Sequence, residues 1–174
     1  RERLPWETGA FDLIVSSYSL YFFPNLIPEV ARVLDRRGLF LALTHTKESQ
    51  RDLLDRLRVS EAASPLVSLV ARFSVENAME LLKPSFGRVE RVDYPNALRF
   101  TADDIDDLAS YLRFKLLLAT DAEGSAVAPS RDHLAQLLRD RGSLEIRKDD
   151  AAFWCWEPHH PGNGPTSAPQ GSEE

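Results

Sequence analysis

The order of apolar runs along the chain predicts a layered α/β domain whose sheet is at least partly parallel. Residues 11–17, FDLIVSS, are a short apolar run bounded by Thr8-Gly9 and Pro24-Asn25. Such a run suits a strand covered on both faces. Residues 39–44, LFLALT, form a second run of the same kind. Between them Leu26, Ile27, Val30, Val33 and Leu34 fall on one helical stripe. Strand, helix and strand in that order predict two parallel strands joined by a right-handed crossover.

The linking helix is expected over about 26–35, with Asn25 as its N-cap and Pro28 tolerated in its first turn. Arg36, Arg37 and Gly38 read as its end, basic residues followed by a C′ glycine. Residues 47–83 are helical in pattern, interrupted at Ser64-Pro65, with a new helix capped by Ser74. A third strand is expected over 88–94, RVERVDY, with one wetter face, and residues 95–100 read as a connection. Thr101 and Asp104 resemble a capping box for a helix over 102–117, whose stripe is Ile105, Leu108, Leu112 and Leu116. Ser130 and Gly142 bracket a helix over 131–141. A last strand is expected within 144–157, Phe153 and Cys155 facing one way and Trp154 and Trp156 the other. From Pro158 the composition turns to Pro, Gly, Ser and Thr, which predicts a disordered tail over 158–174.

The 174 residues are 43% hydrophobic and 28% charged, the balance of a globular domain with a real core. A net charge of −6 is spread along the chain, which argues against nucleic acid or an anionic membrane as partner. The one cysteine, Cys155, excludes an intramolecular disulfide and fits a reducing cytoplasm. No apolar run approaches a membrane span, and the first residues read as neither signal nor transit peptide. The chain begins at Arg1 rather than Met, which raises the expectation of a partial chain.

Little local chemistry is written in the sequence. His159 and His160 are adjacent in the expected tail, and no Cys/His spacing fits a metal, so none is expected. There is no G-x-S-x-G elbow. The only G-x-G, Gly162 to Gly164, follows no strand and opens no helix. The polar residues worth weighing are Ser16, Ser17, Tyr18 and Tyr21 at the end of the first strand, and Thr44, His45 and Thr46 at the end of the second. In open α/β sheets ligands bind beyond the carboxyl ends of strands, and parallel neighbours bring these two lips to one edge. Ser and Thr also commonly terminate strands without any further role. His45 suits a general base, because an imidazole titrates near neutrality, although a lone loop histidine is often merely solvated.

The stretch ERLPWETGAFDLIVSSYSLYFFPN, continued by LIPEVARVLDRRGLFLALT, resembles the central part of class I S-adenosylmethionine-dependent methyltransferases of the small-molecule type. Leu4-Pro5-Trp6, Gly9-Ala10-Phe11-Asp12, Ser16-Ser17, Pro24-Asn25, Arg32-Val33-Leu34 and Gly38 occupy the family's pattern, and the likeness extends to about residue 157. It implies a Rossmann-like methyltransferase sheet of order 3-2-1-4-5-7-6, helices on both faces and an antiparallel last strand. This chain would supply strands 4-5-7-6, from 11–17, 39–44, 144–157 and 88–94. Arg36-Arg37 departs from the family's helix-ending turn. The glycine-rich cofactor loop and the ribose-binding acid have no counterpart in the sequence.

The resemblance implies methyl transfer from S-adenosylmethionine to a small organic acceptor, with 1–157 as the C-terminal part of the domain. Glu2, Ser16, Ser17 and Tyr18 are then the fringe of the cofactor site, Tyr21 and Thr44 the candidate substrate contacts, and His45 the candidate base. Helical segments 47–72 and 102–141 would cover the acceptor, their apolar residues Leu66, Val67, Val70 and Phe73 favouring an organic molecule. With the cofactor loop missing, binding of the cofactor by this chain alone is not expected. The alternative is a non-catalytic module that pairs with itself or a partner through the open edge of strand 11–17.

Overall fold

A computed structural model describes residues 3–56, 66–117 and 129–160. Strand β1, Phe11–Ser17, pairs in parallel with β2, Leu34–His45. Strand β6, Asp150–Pro158, lies antiparallel between β2 and β3, Phe86–Tyr94. The sheet order is therefore β1-β2-β6-β3, the 4-5-7-6 arrangement expected from the sequence. A second, two-stranded sheet joins β4, Ala97–Phe100, to β5, Leu144–Arg147.

Between β1 and β2 a 3-10 turn, Pro24–Leu26, leads into α1, Ile27–Val33. The helix stops earlier than its stripe suggests, and Asn25 does not cap it. Leu34 is already extended, with ψ 138°, and its side chain is fully buried in the core. The next residues bulge out: Phe11 pairs with Leu34, but Leu13 pairs with Leu39. Asp35 Oδ1 accepts from the Arg37 N–H at 2.8 Å within that bulge, as a short Asp side chain does in a turn. Gly38 consequently lies in β2 and not at a helix end. A Cβ there would sit 2.8 Å from Leu34 Cγ and 3.0 Å from the Asp12 carbonyl, so close strand packing explains the glycine.

The core lies on one face of the sheet. Phe40, Ala42, Ala151, Phe153 and Cys155 meet Ile27, Val30 and Ala31 of α1, Phe73, and Ala78 and Leu82 of α4, Ala78–Leu82. Phe40 and Phe86 stack with centroids 5.6 Å apart. Each such ring, fully buried, is worth about 1.5–3 kcal/mol. Ser74 does not cap α4. Its N–H and hydroxyl donate to Asn77 Oδ1 in the turn before the helix.

On the other face Leu13 and Val15 are 56% and 54% exposed. Leu39, Leu41, Trp154 and Trp156 beside them are only half-buried. The expectation that strand 11–17 is covered on both faces is therefore met on one face only among the described residues, because no described helix crosses that surface near β1.

A second apolar cluster joins the small sheet to α5, Ile105–Leu117, and α6, Arg131–Arg141. Phe100, Leu108, Leu112, Leu134, Leu138, Leu144 and Ile146 are buried there. Asp104 accepts from both the N–H and the hydroxyl of Thr101, at 2.8 and 2.7 Å, and so fixes the start of α5. Ser130 accepts from the His133 N–H at 3.2 Å and Gly142, at φ 74°, closes α6, both as expected.

The strand expected over 144–157 is two strands. Buried apolar residues fall on even positions in β5 (Leu144, Ile146) and on odd positions in β6 (Ala151, Phe153, Cys155). That change of phase requires the break at Lys148-Asp149. Residues 95–100, expected as a connection, contain β4, and a tail starting at 158 starts too early. Pro158 ends β6, the His159 N–H donates to the Ser85 carbonyl, and His160 Nε2 lies 2.9 Å from the Leu34 carbonyl. The remainder of the tail lies outside the described residues. Among those described, no helix is long and apolar enough to cross a membrane.

Candidate functional site

The carboxyl ends of β1 and β2 meet the start of β6 and the last turn of α5, and each element brings one polar group. Tyr18 follows β1, in the left-handed region at φ 51°. A non-glycine residue there is held by its surroundings against a cost of about 1 kcal/mol or more. Its N–H donates to the Leu43 carbonyl at 3.0 Å, extending the ladder by one bond. Its ring stacks on His45, the last residue of β2, with centroids 4.4 Å apart and planes 21° from parallel. Opposite His45 in the register stands Asp150, the first residue of β6.

Asp150 accepts two hydrogen bonds. His45 Nδ1 lies 2.7 Å from Oδ1, and the Tyr18 hydroxyl donates to Oδ2 at 2.8 Å. The carboxylate fixes the imidazole with its proton on Nδ1 and its lone pair on Nε2. That lone pair meets an ammonium, since Lys115 Nζ lies 3.3 Å from Nε2. Lys115 comes from the buried face of α5, one turn beyond Leu112, and is 7% exposed. Lys148, from the turn between β5 and β6, has its Nζ 5.8 Å from the Tyr18 ring centroid.

Burial is the first influence on every group here. It pushes the Tyr18 hydroxyl up, and the hydrogen bond to Asp150 and that carboxylate's charge push it further. It pushes the Asp150 carboxyl up too, but the bonds from His45 and Tyr18 outweigh it and hold the group below the usual carboxylate value. His45 goes down, because burial and the charges of Lys115 and Lys148 outweigh its bond to Asp150. Lys115 is pushed down to about 8 by burial, with Lys148 adding to the shift. Lys148 is lowered by burial against the attraction of Asp150. Tyr111, also on α5, is pushed up to about 12 by burial and then by Asp150. Neutral His45 is thus a base whose accepting nitrogen is covered by Lys115.

The sequence-predicted site residues divide. Tyr18 and His45 are brought together. Ser16 lies on the core side of β1, its hydroxyl 2.8 Å from that of Ser19, and Ser17 is exposed on the opposite face. Thr44 faces the core, fully buried, and donates to the Phe73 carbonyl at 2.8 Å. Tyr21 is buried in the core cluster, its ring 4.7 Å from that of Phe22. Thr46 helps hold the rim. Its hydroxyl accepts from the Ser49 N–H at 3.1 Å at the start of α2, Lys47–Arg56, and its N–H donates to the Asp149 carbonyl at 3.0 Å. Glu2 lies outside the described residues.

Sequence reading missed Asp150, Lys115 and Lys148. Lys115 had a signal: the stripe Ile105, Leu108, Leu112 continues at 115 as well as at 116, and a charge on a core stripe asks for a partner.

A nucleoside linked to an amino acid needs backbone to approach it closely and free donors and acceptors along its length. Ser16 is already paired with Ser19, and Tyr18 and Asp150 with each other and with His45, while the described glycines lie before β1, within β2 and β3 and after α6, none in a strand-to-helix turn. The described residues do not form a cofactor cradle. Nor do they include a group of three or more His, Cys, Asp or Glu able to hold a metal ion.

No family model and no curated protein matches the sequence. Solved structures do. The YcgJ protein from Bacillus subtilis is 18% identical, with a TM-score of 0.50 over 90% of this chain and 68% of that one. A protein from Bacillus halodurans C-125 proposed to be a methyltransferase is 13% identical, with a TM-score of 0.49 over the same shares, 90% and 68%. Phosphoethanolamine N-methyltransferase 2 from Haemonchus contortus, solved with phosphomonomethylethanolamine and S-adenosylhomocysteine, is 14% identical, with a TM-score of 0.40 over 88% and 35%. With its parallel β1-β2 pair and its last strand inserted antiparallel before β3, the chain has a Rossmann-like methyltransferase fold over four strands of the sheet.

Proposed function

We propose that the chain is the acceptor-side portion of a methyltransferase that uses S-adenosylmethionine and acts on a small organic molecule in a reducing, cytoplasmic setting. One observation carries this reading: a His-Asp pair roofed by a tyrosine stands at the carboxyl ends of two adjacent parallel strands in a sheet of methyltransferase order. In this reading Asp150 orients His45, and His45 Nε2 takes a proton from the acceptor once Lys115 turns aside. Ser17, with its exposed hydroxyl, and Tyr18 border the cofactor. Isothermal titration of the chain with S-adenosylmethionine tests it. The sequence alone leads to no expectation of binding by this chain, but Ser17 and Tyr18 keep a border of that site, so weak, millimolar binding is expected; no binding at any accessible concentration counts against the reading.

The open edge of β1 supports a second reading, a non-catalytic module that pairs through that edge. The strand carries a partner on one side only and shows Leu13 and Val15 to solvent, the features of an edge that recruits another strand. Micromolar binding of S-adenosylmethionine in the same titration would dispose of it.

A further inference from the structure

We propose that Lys115 and Lys148, beside His45, form a receptor for one small anionic group, a carboxylate or a phosphate carried by the molecule that occupies this site. The inference names the acceptor's chemistry in the reading above and rests on that reading for the word acceptor; anion binding itself does not.

Positive charge exceeds negative charge in this cluster. Two ammonium groups and one carboxylate share the cluster. The carboxylate, Asp150, already accepts from His45 and from Tyr18. Neither lysine forms an ion pair with a carboxylate among the described residues. Lys115 Nζ has three hydrogens and one acceptor, His45 Nε2. Its other polar neighbour among the described residues is Lys148, within hydrogen-bonding reach and itself an amine, so no described anion balances the pair, which is expensive for buried ammonium groups. A protein has two remedies, to lose the proton or to bring in an anion. The depression of Lys115 to about 8 shows strain toward the first, yet leaves the group mostly charged at neutral pH. Lys148 raises the demand, because it adds a second positive charge that lowers Lys115 further.

An anion between the two lysines would accept charge-assisted hydrogen bonds from both. It would also draw Lys115 off His45 Nε2, freeing the lone pair that Asp150 orients. The ligand is small, because Lys115 is nearly inaccessible, and it enters past the half-buried Lys148 and Tyr18. A purely structural role for the lysines, as counterions of Asp150, accounts less well for the pair, since the nearest basic group to that carboxylate is the imidazole and neither ammonium bonds to it.

The test titrates the whole chain with inorganic phosphate, and separately with acetate, at pH 7 and ionic strength held constant with chloride, without cofactor. Saturable binding of one of them is expected, and which one binds tells phosphate from carboxylate. Lys115→Met and Lys148→Met should each weaken it by at least about tenfold. Lys115→Met should melt no lower than the parent at pH 7, since it replaces an unpaired buried charge with an apolar chain of similar length. Should it fail to fold, Lys148→Met, at a half-buried position, decides alone. Absence of saturation, or equal binding by parent and variants, overturns the receptor. Because no cofactor is present, that failure is separate from failure of the methyltransferase reading, which the titration with S-adenosylmethionine reports.

Discussion

His45 Nδ1 lies 2.7 Å from Asp150 Oδ1, joining the last residue of β2 to the first residue of β6. The bond fixes the imidazole tautomer and places one negative charge where two strand ends, α5 and the β5–β6 turn converge. Asp150→Asn keeps the shape and removes the charge, so the Lys115 and Lys148 ammonium groups lose the attraction of Asp150 and His45 loses its carboxylate partner. The expected loss is about 3 kcal/mol or more in urea unfolding at pH 7. A loss within experimental error would mean that the cluster is not electrostatically coupled.

Tyr18→Phe keeps the ring stacked on His45 and deletes the hydroxyl that donates to Asp150. A hydrogen bond to a charged group is worth about 1.5–3 kcal/mol. The variant should lose roughly that in the same unfolding measurement, and Tyr18→Ala should lose more, because the stack goes too.

Stability should rise as pH increases from about 8 toward the ordinary lysine range. Burial pushes Lys115 down to about 8 in the folded chain, against the ordinary lysine value of 10.5. Between those values the unfolded chain holds the proton that the folded chain has released, so raising pH favours folding. Below 8 both states are charged and the full cost of burial remains, roughly 3 kcal/mol. Lys148, also lowered, acts in the same direction. His45 is depressed below 6.5, so its contribution is present above 6.5 and is lost as acidification protonates the unfolded chain first. Tyr18, Tyr111 and Asp150 face the same cluster and stay in one form across pH 6 to 9 in roughly this scheme. Denaturation midpoints measured from pH 6 to 10 check the slope, and Lys115→Met should flatten its alkaline part.

Gly38→Ala should cost about 1–3 kcal/mol. The new methyl would press on Leu34 and on the Asp12 carbonyl, at 2.8 and 3.0 Å, and the latter is backbone that cannot move aside without disturbing β1. A glycine needed only for helix termination would tolerate the change far better, so thermal melting of this one variant separates the two explanations.

Much of the fold was readable because its signals are local. The parallel pair came from two apolar runs around a helical stripe, and the starts of α5 and α6 from Thr101 with Asp104 and from Ser130, each within four residues. Helix α1 was overdrawn because Leu34 sits on its stripe, yet the core claims that side chain for β2. The break between β5 and β6 was written as a change of phase between Ile146 and Ala151, an observable that a search for one long strand passes over. The site was half legible. Tyr18 and His45 lie at strand ends, where the architecture gathers ligand-facing groups. Asp150 is 105 residues from His45 and Lys115 is 70, and no local pattern links positions so far apart.

The exposed edge of β1 makes its own prediction. Leu13→Lys and Val15→Lys place charge on the open face without touching the core side, where Ile14 packs. Sedimentation velocity should show less self-association than the parent at high protein concentration. An unchanged distribution would remove the edge as a pairing surface.

The most direct test of the central claim is a titration of isotopically labelled chain with S-adenosylhomocysteine, followed residue by residue by NMR. Shifts are expected at Ser17 and Tyr18 and at the His45 imidazole, saturating in the millimolar range. Shifts scattered elsewhere, or none at those residues, would contradict it.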